Sequence, residues 1–158
     1  LIGMPGCGKS TVGAALAKRL GKTFVDLDEE IERRTGCNIP DIFAREGEAA
    51  FRRYEAETLA DVGKRTGQVI ACGGGVIKTA ANVHALRQNG TVLWVQRALD
   101  KLATGGRPLS RGGAALKQLQ TERTPLYRAA ADAVLDNSAS LDRVVQEAVQ
   151  LVDAQPLL

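Results

Sequence analysis

A lysine and a serine stand side by side, Lys9-Ser10, at the end of the stretch Gly3-Met4-Pro5-Gly6-Cys7-Gly8. The spacing is G-x-x-x-x-G-K-[ST], the pattern of a loop that cradles phosphates. Glycines let the backbone curl until several N–H groups face one anion. Lys9 adds a point charge for the outer phosphates, and the Ser10 hydroxyl suits a Mg²⁺ ion. In the residues that follow, Val12, Leu16 and Leu20 recur four apart, as on one helix face. Bound phosphates would then lie at a helix N-terminus, where unpaired N–H groups and the dipole favour negative charge. The expected nucleotide-binding set is Gly3, Pro5, Gly6, Cys7, Gly8, Lys9, Ser10 and Thr11.

The elements that must hold this loop alternate. Leu1-Ile2 reads as the end of a first strand, and Thr23–Asp26 as a second. A helix is expected over 28–36, closed by Gly36, and another begins at Asn38 with Pro40 in its first turn. A longer helix runs from Glu48 to about Lys64. Gln68–Cys72 is an apolar run, a buried strand that Gly73-Gly74-Gly75 stops. Helix is expected over 79–88, strand over 91–96, and a short helical piece over 99–102. Residues 104–113 read as a loop of glycines and cations. Helix 114–131, strand 133–136 and helix 140–152 complete the chain. Such alternation predicts a parallel sheet covered by helices, with ligands bound beyond the carboxyl ends of the strands. The phosphate loop, Asp26, Asp28 and the glycine triplet all fall at those ends.

A chain of 158 residues, 44% hydrophobic and 25% charged, fits one soluble globular domain, residues 1–158. Its net charge of +3 is dispersed with no Lys/Arg run, which argues against nucleic-acid binding and suits a small anionic substrate. Cys7, Cys37 and Cys72 are odd in number and lack metal-type spacing, as expected of reduced thiols in a cytoplasmic protein. No stretch approaches the roughly 20 apolar residues of a membrane span. Because the sequence opens at Leu1, the first strand is expected to be cut short, with any leader lost. A GTPase would carry an Asn-Lys-x-Asp motif, and none is present.

Phe24-Val25-Asp26-Leu27-Asp28, Phe51-Arg52-x-x-Glu55, Gly73-Gly74-Gly75, Arg107-Pro108-Leu109 and Arg123-x-Pro125-Leu126-Tyr127 follow one another with a spacing that resembles the shikimate kinases along essentially the whole chain. The resemblance implies an α/β fold: a three-layer α/β/α P-loop kinase with a five-stranded parallel sheet in order 2-3-1-4-5. Substrate-binding helices over about 28–66 and a mobile lid over about 104–113 come with it. It implies transfer of the γ-phosphoryl group of ATP to the 3-hydroxyl of shikimate, with Mg²⁺, by a monomer. Lys9, Asp28 and Arg107 would be catalytic, and Arg107 would also reach the nucleotide from the lid. Ser10 and Asp26 would serve the metal, Asp26 through water. Asp28, Arg52, Gly73, Gly74, Gly75 and Arg123 would hold the substrate. Asp28 is the expected base for the attacking hydroxyl, and the arginines suit a planar carboxylate. Glu55, three residues past Arg52, is placed to orient it. If strand continues through Asp28, its side chain shares a side with that of Asp26; either acid can instead cap the following helix. The lid segment is shorter than is usual in the family and lacks an adenine-stacking arginine. Adenine contact falls to Arg111 or the 137–140 loop. Gluconate kinase, adenylate kinase and a non-catalytic binding protein are the competing readings.

Overall fold

A computed structural model describes residues 1–102 and 109–155. Its elements are α1 (Lys9–Leu20), β1 (Thr23–Asp26), α2 (Leu27–Thr35), α3 (Ile39–Glu46), α4 (Glu48–Val62), β2 (Gln68–Ala71), α5 (Ala80–Asn89), β3 (Leu93–Gln96), α6 (Leu109–Ala130), β4 (Ala133–Asp136) and α7 (Leu141–Asp153). Tight helical turns occupy Val76–Lys78 and Leu99–Lys101.

Local chemistry sets the helix ends. Asp26 caps α2, Asn38 caps α3 and Ser140 caps α7, each side chain accepting a backbone N–H of the first turn. Gly21 and Gly36 close α1 and α2 in the left-handed conformation.

The strands pair in parallel: β1 with β2, Thr23 opposite Gln68, and β3 with β4, Leu93 opposite Ala133. Between the two ladders runs the segment Leu1-Ile2. Leu1 donates to the Ile70 carbonyl at 2.6 Å and accepts from Cys72 N–H at 3.0 Å. Ile2 donates to Leu93 at 2.9 Å and accepts from Val95 at 2.8 Å. Helices α1 and α7 pack on each other and on strands, while α2, α3 and α5 gather on α4. One core runs through the molecule, with Ile2, Leu16, Leu27, Leu59, Leu93, Tyr127 and Leu135 buried within it. Among the described residues, no helix is long and apolar enough to cross a membrane.

One open alternative is decided and one expectation is corrected. Strand β1 ends at Asp26, as its sequence predicts, so Asp28 lies in the first turn of α2 and the alternative of a strand continuing through it does not hold. The cause is the Asp26 carboxylate, which accepts from the N–H groups of both Asp28 and Glu29 and starts the helix there. Residues 109–113, read as loop, are the opening of α6. Gly112 and Gly113 weaken the local helix preference by about 1 kcal/mol each, a cost that a 22-residue helix absorbs. The rest of the expected lid, including Arg107, lies outside the described residues.

Candidate active site

The phosphate loop leaves the Leu1-Ile2 segment and enters α1. Gly8 caps that helix at φ 96°, a left-handed conformation open to glycine at little cost. Lys9 is buried, and its ammonium donates to the carbonyls of Gly3 at 2.8 Å and Met4 at 2.9 Å, with the Cys7 sulfur at 3.7 Å. The side chain thus folds back across its own loop. Gly3 has no room for a side chain: a Cβ there would lie 2.5 Å from the Val95 carbonyl oxygen. Thr11 is exposed in the first turn of α1.

Asp26 divides its carboxylate between two tasks. Oδ1 caps α2, and Oδ2 accepts from the Ser10 hydroxyl at 2.7 Å. Asp26 therefore caps α2 while its second oxygen holds the Ser10 hydroxyl, and Asp28 is relieved of capping. Hard oxygen donors from Ser10 and Asp26 fit Mg²⁺, which keeps several waters and leans on substrate phosphates. Among the described residues no group of three or more His, Cys, Asp or Glu side chains could hold a metal ion by itself.

Asp28 is partly buried, and burial pushes its carboxyl above the usual range. The Asp26 charge adds to the rise, while Lys9 and Arg52 oppose it. Its Oδ1 is buried without a hydrogen-bond partner. Among the described residues the other such atoms are Arg52 Nε and Glu55 Oε2, and all three belong to this one cluster.

Arg52 projects from α4 over the Phe51 ring, 5.1 Å from its centroid. It donates to Glu55 Oε1 at 3.0 Å, as the three-residue spacing predicts. Glu48 lies 3.5 Å away and also receives Lys78 at 2.6 Å. Glu55 is fully buried, and burial raises its carboxyl although Arg52 pulls the other way.

The glycine triplet explains how these groups meet. A Cβ on Gly73 would lie 2.9 Å from Asp28 Oδ1. On Gly74 it would lie 2.8 Å from Pro5 Cδ and 3.0 Å from Arg123 Nη1. On Gly75 it would lie 2.4 Å from Arg52 Nη2. None of the three has a positive φ, so space and not conformation requires glycine here. One turn of backbone thus carries a carboxylate, two guanidinium groups and the rim of the phosphate loop.

Tyr127 fixes that turn from below, a role its place in the Arg123-x-Pro125-Leu126-Tyr127 run did not disclose. Its hydroxyl donates to the Gly74 carbonyl at 2.6 Å, and its ring stacks on Trp94 at 5.8 Å. Tyr127 stands four residues after Arg123, hence on the same face of α6, and that periodicity was the available signal. Burial pushes its hydroxyl up to about 12. The sequence also left Asn137 without a contact to the loop; its side chain donates to the Cys7 carbonyl at 2.8 Å. His84 is exposed on α5.

Comparisons with known proteins agree with the geometry. The shikimate kinase of Nitrosomonas europaea is 45% identical over 95% of this chain and 75% of its own length. That of Thiobacillus denitrificans is 40% identical over 98% and 91%. Among solved structures, shikimate kinase from Acinetobacter baumannii in complex with shikimate superposes with a TM-score of 0.89 at 36% identity, covering 99% of this chain and 93% of that one. The enzyme from Aquifex aeolicus gives 0.83 at 31%, covering 96% and 94%. The fold is that of a P-loop kinase with parallel strands. The family model for shikimate kinase matches residues 5–153, and the chain belongs to the shikimate kinase family.

Proposed function

We propose that this chain transfers the γ-phosphoryl group of ATP to the 3-hydroxyl of shikimate, in aromatic amino-acid biosynthesis. The observation that carries the reading is the glycine turn, where Asp28, Arg123 and Arg52 each close on one glycine beside Pro5 of the phosphate loop. Arg52 and Arg123 present guanidinium groups for the acceptor's carboxylate, with Glu55 and Glu48 orienting Arg52. Asp28, with an unpartnered oxygen over Gly73, accepts the proton of the attacking hydroxyl. Its raised carboxyl makes it a better proton acceptor than an ordinary aspartate.

Lys9 and the loop N–H groups take the outer phosphates. To do so, Lys9 exchanges a carbonyl contact for a phosphate oxygen, a short swing because the ammonium already lies over the loop. Ser10 and Asp26 would hold Mg²⁺, which when bound supplies charge neutralisation at the phosphates. Phosphoryl transfer asks mainly for positioning and charge stabilisation, and these residues provide both. Arg107 and the lid of about 104–113 are proposed to close over the nucleotide and exclude water.

We also read one continuous five-stranded parallel sheet in order 2-3-1-4-5, counting Leu1-Ile2 as the first strand, within a three-layer single domain. The hydrogen bonds from Leu1 to β2 and from Ile2 to β3 support it. A monomer in the cytoplasm, with shikimate and ATP as its only partners, completes the proposal.

The test is ADP release from Mg·ATP with shikimate, quinate, gluconate and AMP as separate acceptors. Turnover with shikimate alone is expected. Turnover with gluconate or AMP in its place would keep the phosphate loop and refute the acceptor site.

A further inference from the structure

The Cys7–Gly8 peptide lies at the turn of the phosphate loop into α1. Glycines with positive φ flank Cys7 on both sides, Gly6 at 77° and Gly8 at 96°. Such residues cross between backbone basins at little cost. The preceding peptide is held within the loop, its Cys7 N–H donating to the Met4 carbonyl at 3.2 Å. The Cys7 carbonyl accepts from the side-chain amide of Asn137, 130 positions along the chain, at 2.8 Å.

Asn137 is itself fixed. It follows β4 directly, and its backbone N–H donates to the Gln96 carbonyl at the end of β3 at 2.8 Å. Its amide also fills the space beside Gly8, where a Cβ would lie 2.4 Å from Nδ2. A trans peptide is planar, so its N–H points opposite to its C=O. Holding the Cys7 carbonyl toward Asn137 therefore holds the Gly8 N–H away from Asn137, as one of the donors at the start of α1.

We infer that Asn137 is a positioning residue for phosphate binding: its amide locks the Cys7–Gly8 peptide to the end of the β3–β4 ladder so that the Gly8 N–H faces the anion. The role differs from contact with adenine, which the sequence had suggested for the 137–140 loop. It also accounts for the residue type, because only a side-chain donor serves a carbonyl. An aspartate there would set a negative oxygen against the Cys7 oxygen.

The inference rests on the nucleotide reading of the loop, so wild-type protein is measured first. Binding of Mg·ATP by the wild type tests that reading; the variants test Asn137. For Asn137→Ala we expect the KM for ATP to rise by roughly three- to tenfold, the range one neutral hydrogen bond supports. The KM for shikimate should stay within about twofold. Inhibition by inorganic tripolyphosphate, which has no base, should weaken in step with ATP, and Asn137→Asp should exceed Asn137→Ala. Ala and Asp variants that melt like the wild type and bind ATP and tripolyphosphate as it does would overturn the inference. So would a loss confined to ATP and absent for tripolyphosphate, which would make Asn137 a contact for the base. If the Asp variant does not fold, the Ala variant with ATP and tripolyphosphate decides alone.

Discussion

Replacing Tyr127 by Phe removes one oxygen atom and leaves a fully buried ring against Trp94. The ring contacts survive, so the loss is confined to the bond from the hydroxyl to the Gly74 carbonyl, 2.6 Å long. A neutral hydrogen bond is worth about 1 kcal/mol net, and a buried acceptor left without its partner costs about 1–3 kcal/mol more when nothing replaces it. Gly74 is only partly buried, so the low end applies: about 1–2 kcal/mol in total. For a chain of this size that is a fall in Tm of roughly 3–6 °C. The kinetic effect should reach both reactants. Gly74 lies against Arg123 and against Pro5 of the phosphate loop, so the KM for shikimate should rise several-fold and the KM for ATP should rise with it. Alkaline pH gives a second reading. The tyrosine hydroxyl titrates near 10 in the unfolded chain and at about 12 in the fold. A raised folded value means its stabilising contribution is complete below about pH 10 and is lost as pH rises toward 12. The stability gap between wild type and Tyr127→Phe should therefore narrow across that window. Thermal melts at neutral and alkaline pH with initial-rate kinetics decide it. A Tm within 1 °C of wild type together with an unchanged KM for shikimate would refute the anchoring role.

Asp28→Asn should lower kcat by about 10²–10⁴-fold while Mg·ATP binding, followed by calorimetry, stays intact. The Asp28 carboxyl is raised in the fold, so its contribution to stability is full below its unfolded value and lost as pH climbs through the folded one. The Asn variant should thus melt higher than wild type at neutral pH, lose that advantage on acidification, and lack the acid limb of the kcat/KM profile for shikimate. Gly75→Ala should raise the KM for shikimate about tenfold, since its Cβ displaces Arg52, and Gly73→Ala should instead lower kcat by displacing Asp28. If both variants change the same constant, the division of labour along the turn is wrong.

The parts of this site that were legible in sequence are those fixed by local geometry. The phosphate loop announces itself because its conformation demands glycines at set intervals. Arg52 and Glu55 meet because three residues of helix bring them together. The end of β1 was legible too, but not which acid caps α2. Asp26 supplies that cap while also holding Ser10, and a sequence does not show one carboxylate doing two things. The start of α6 was hidden for the opposite reason: a long helix tolerates the two glycines that locally argue for a loop. Long-range pairs such as Tyr127 with Gly74 and Asn137 with Cys7 lie 53 and 130 positions apart, beyond any local pattern.

Gly74 brings these threads to one point. It faces Pro5 of the nucleotide loop on one side and Arg123 of the acceptor site on another, while its carbonyl is held by Tyr127 from the core. On the proposed reading the two substrates then share one backbone turn rather than separate walls of a cleft, and a displacement of that turn would move the seats of both reactants together. Phosphoryl transfer requires attacking and leaving oxygens in line, so a common reference for both seats protects the alignment better than two independent ones. A side chain at position 74 would press on both Pro5 and Arg123. Gly74→Ala should accordingly impair both KM values and kcat at once, unlike its neighbours Gly73 and Gly75, each of which touches one reactant's partner alone.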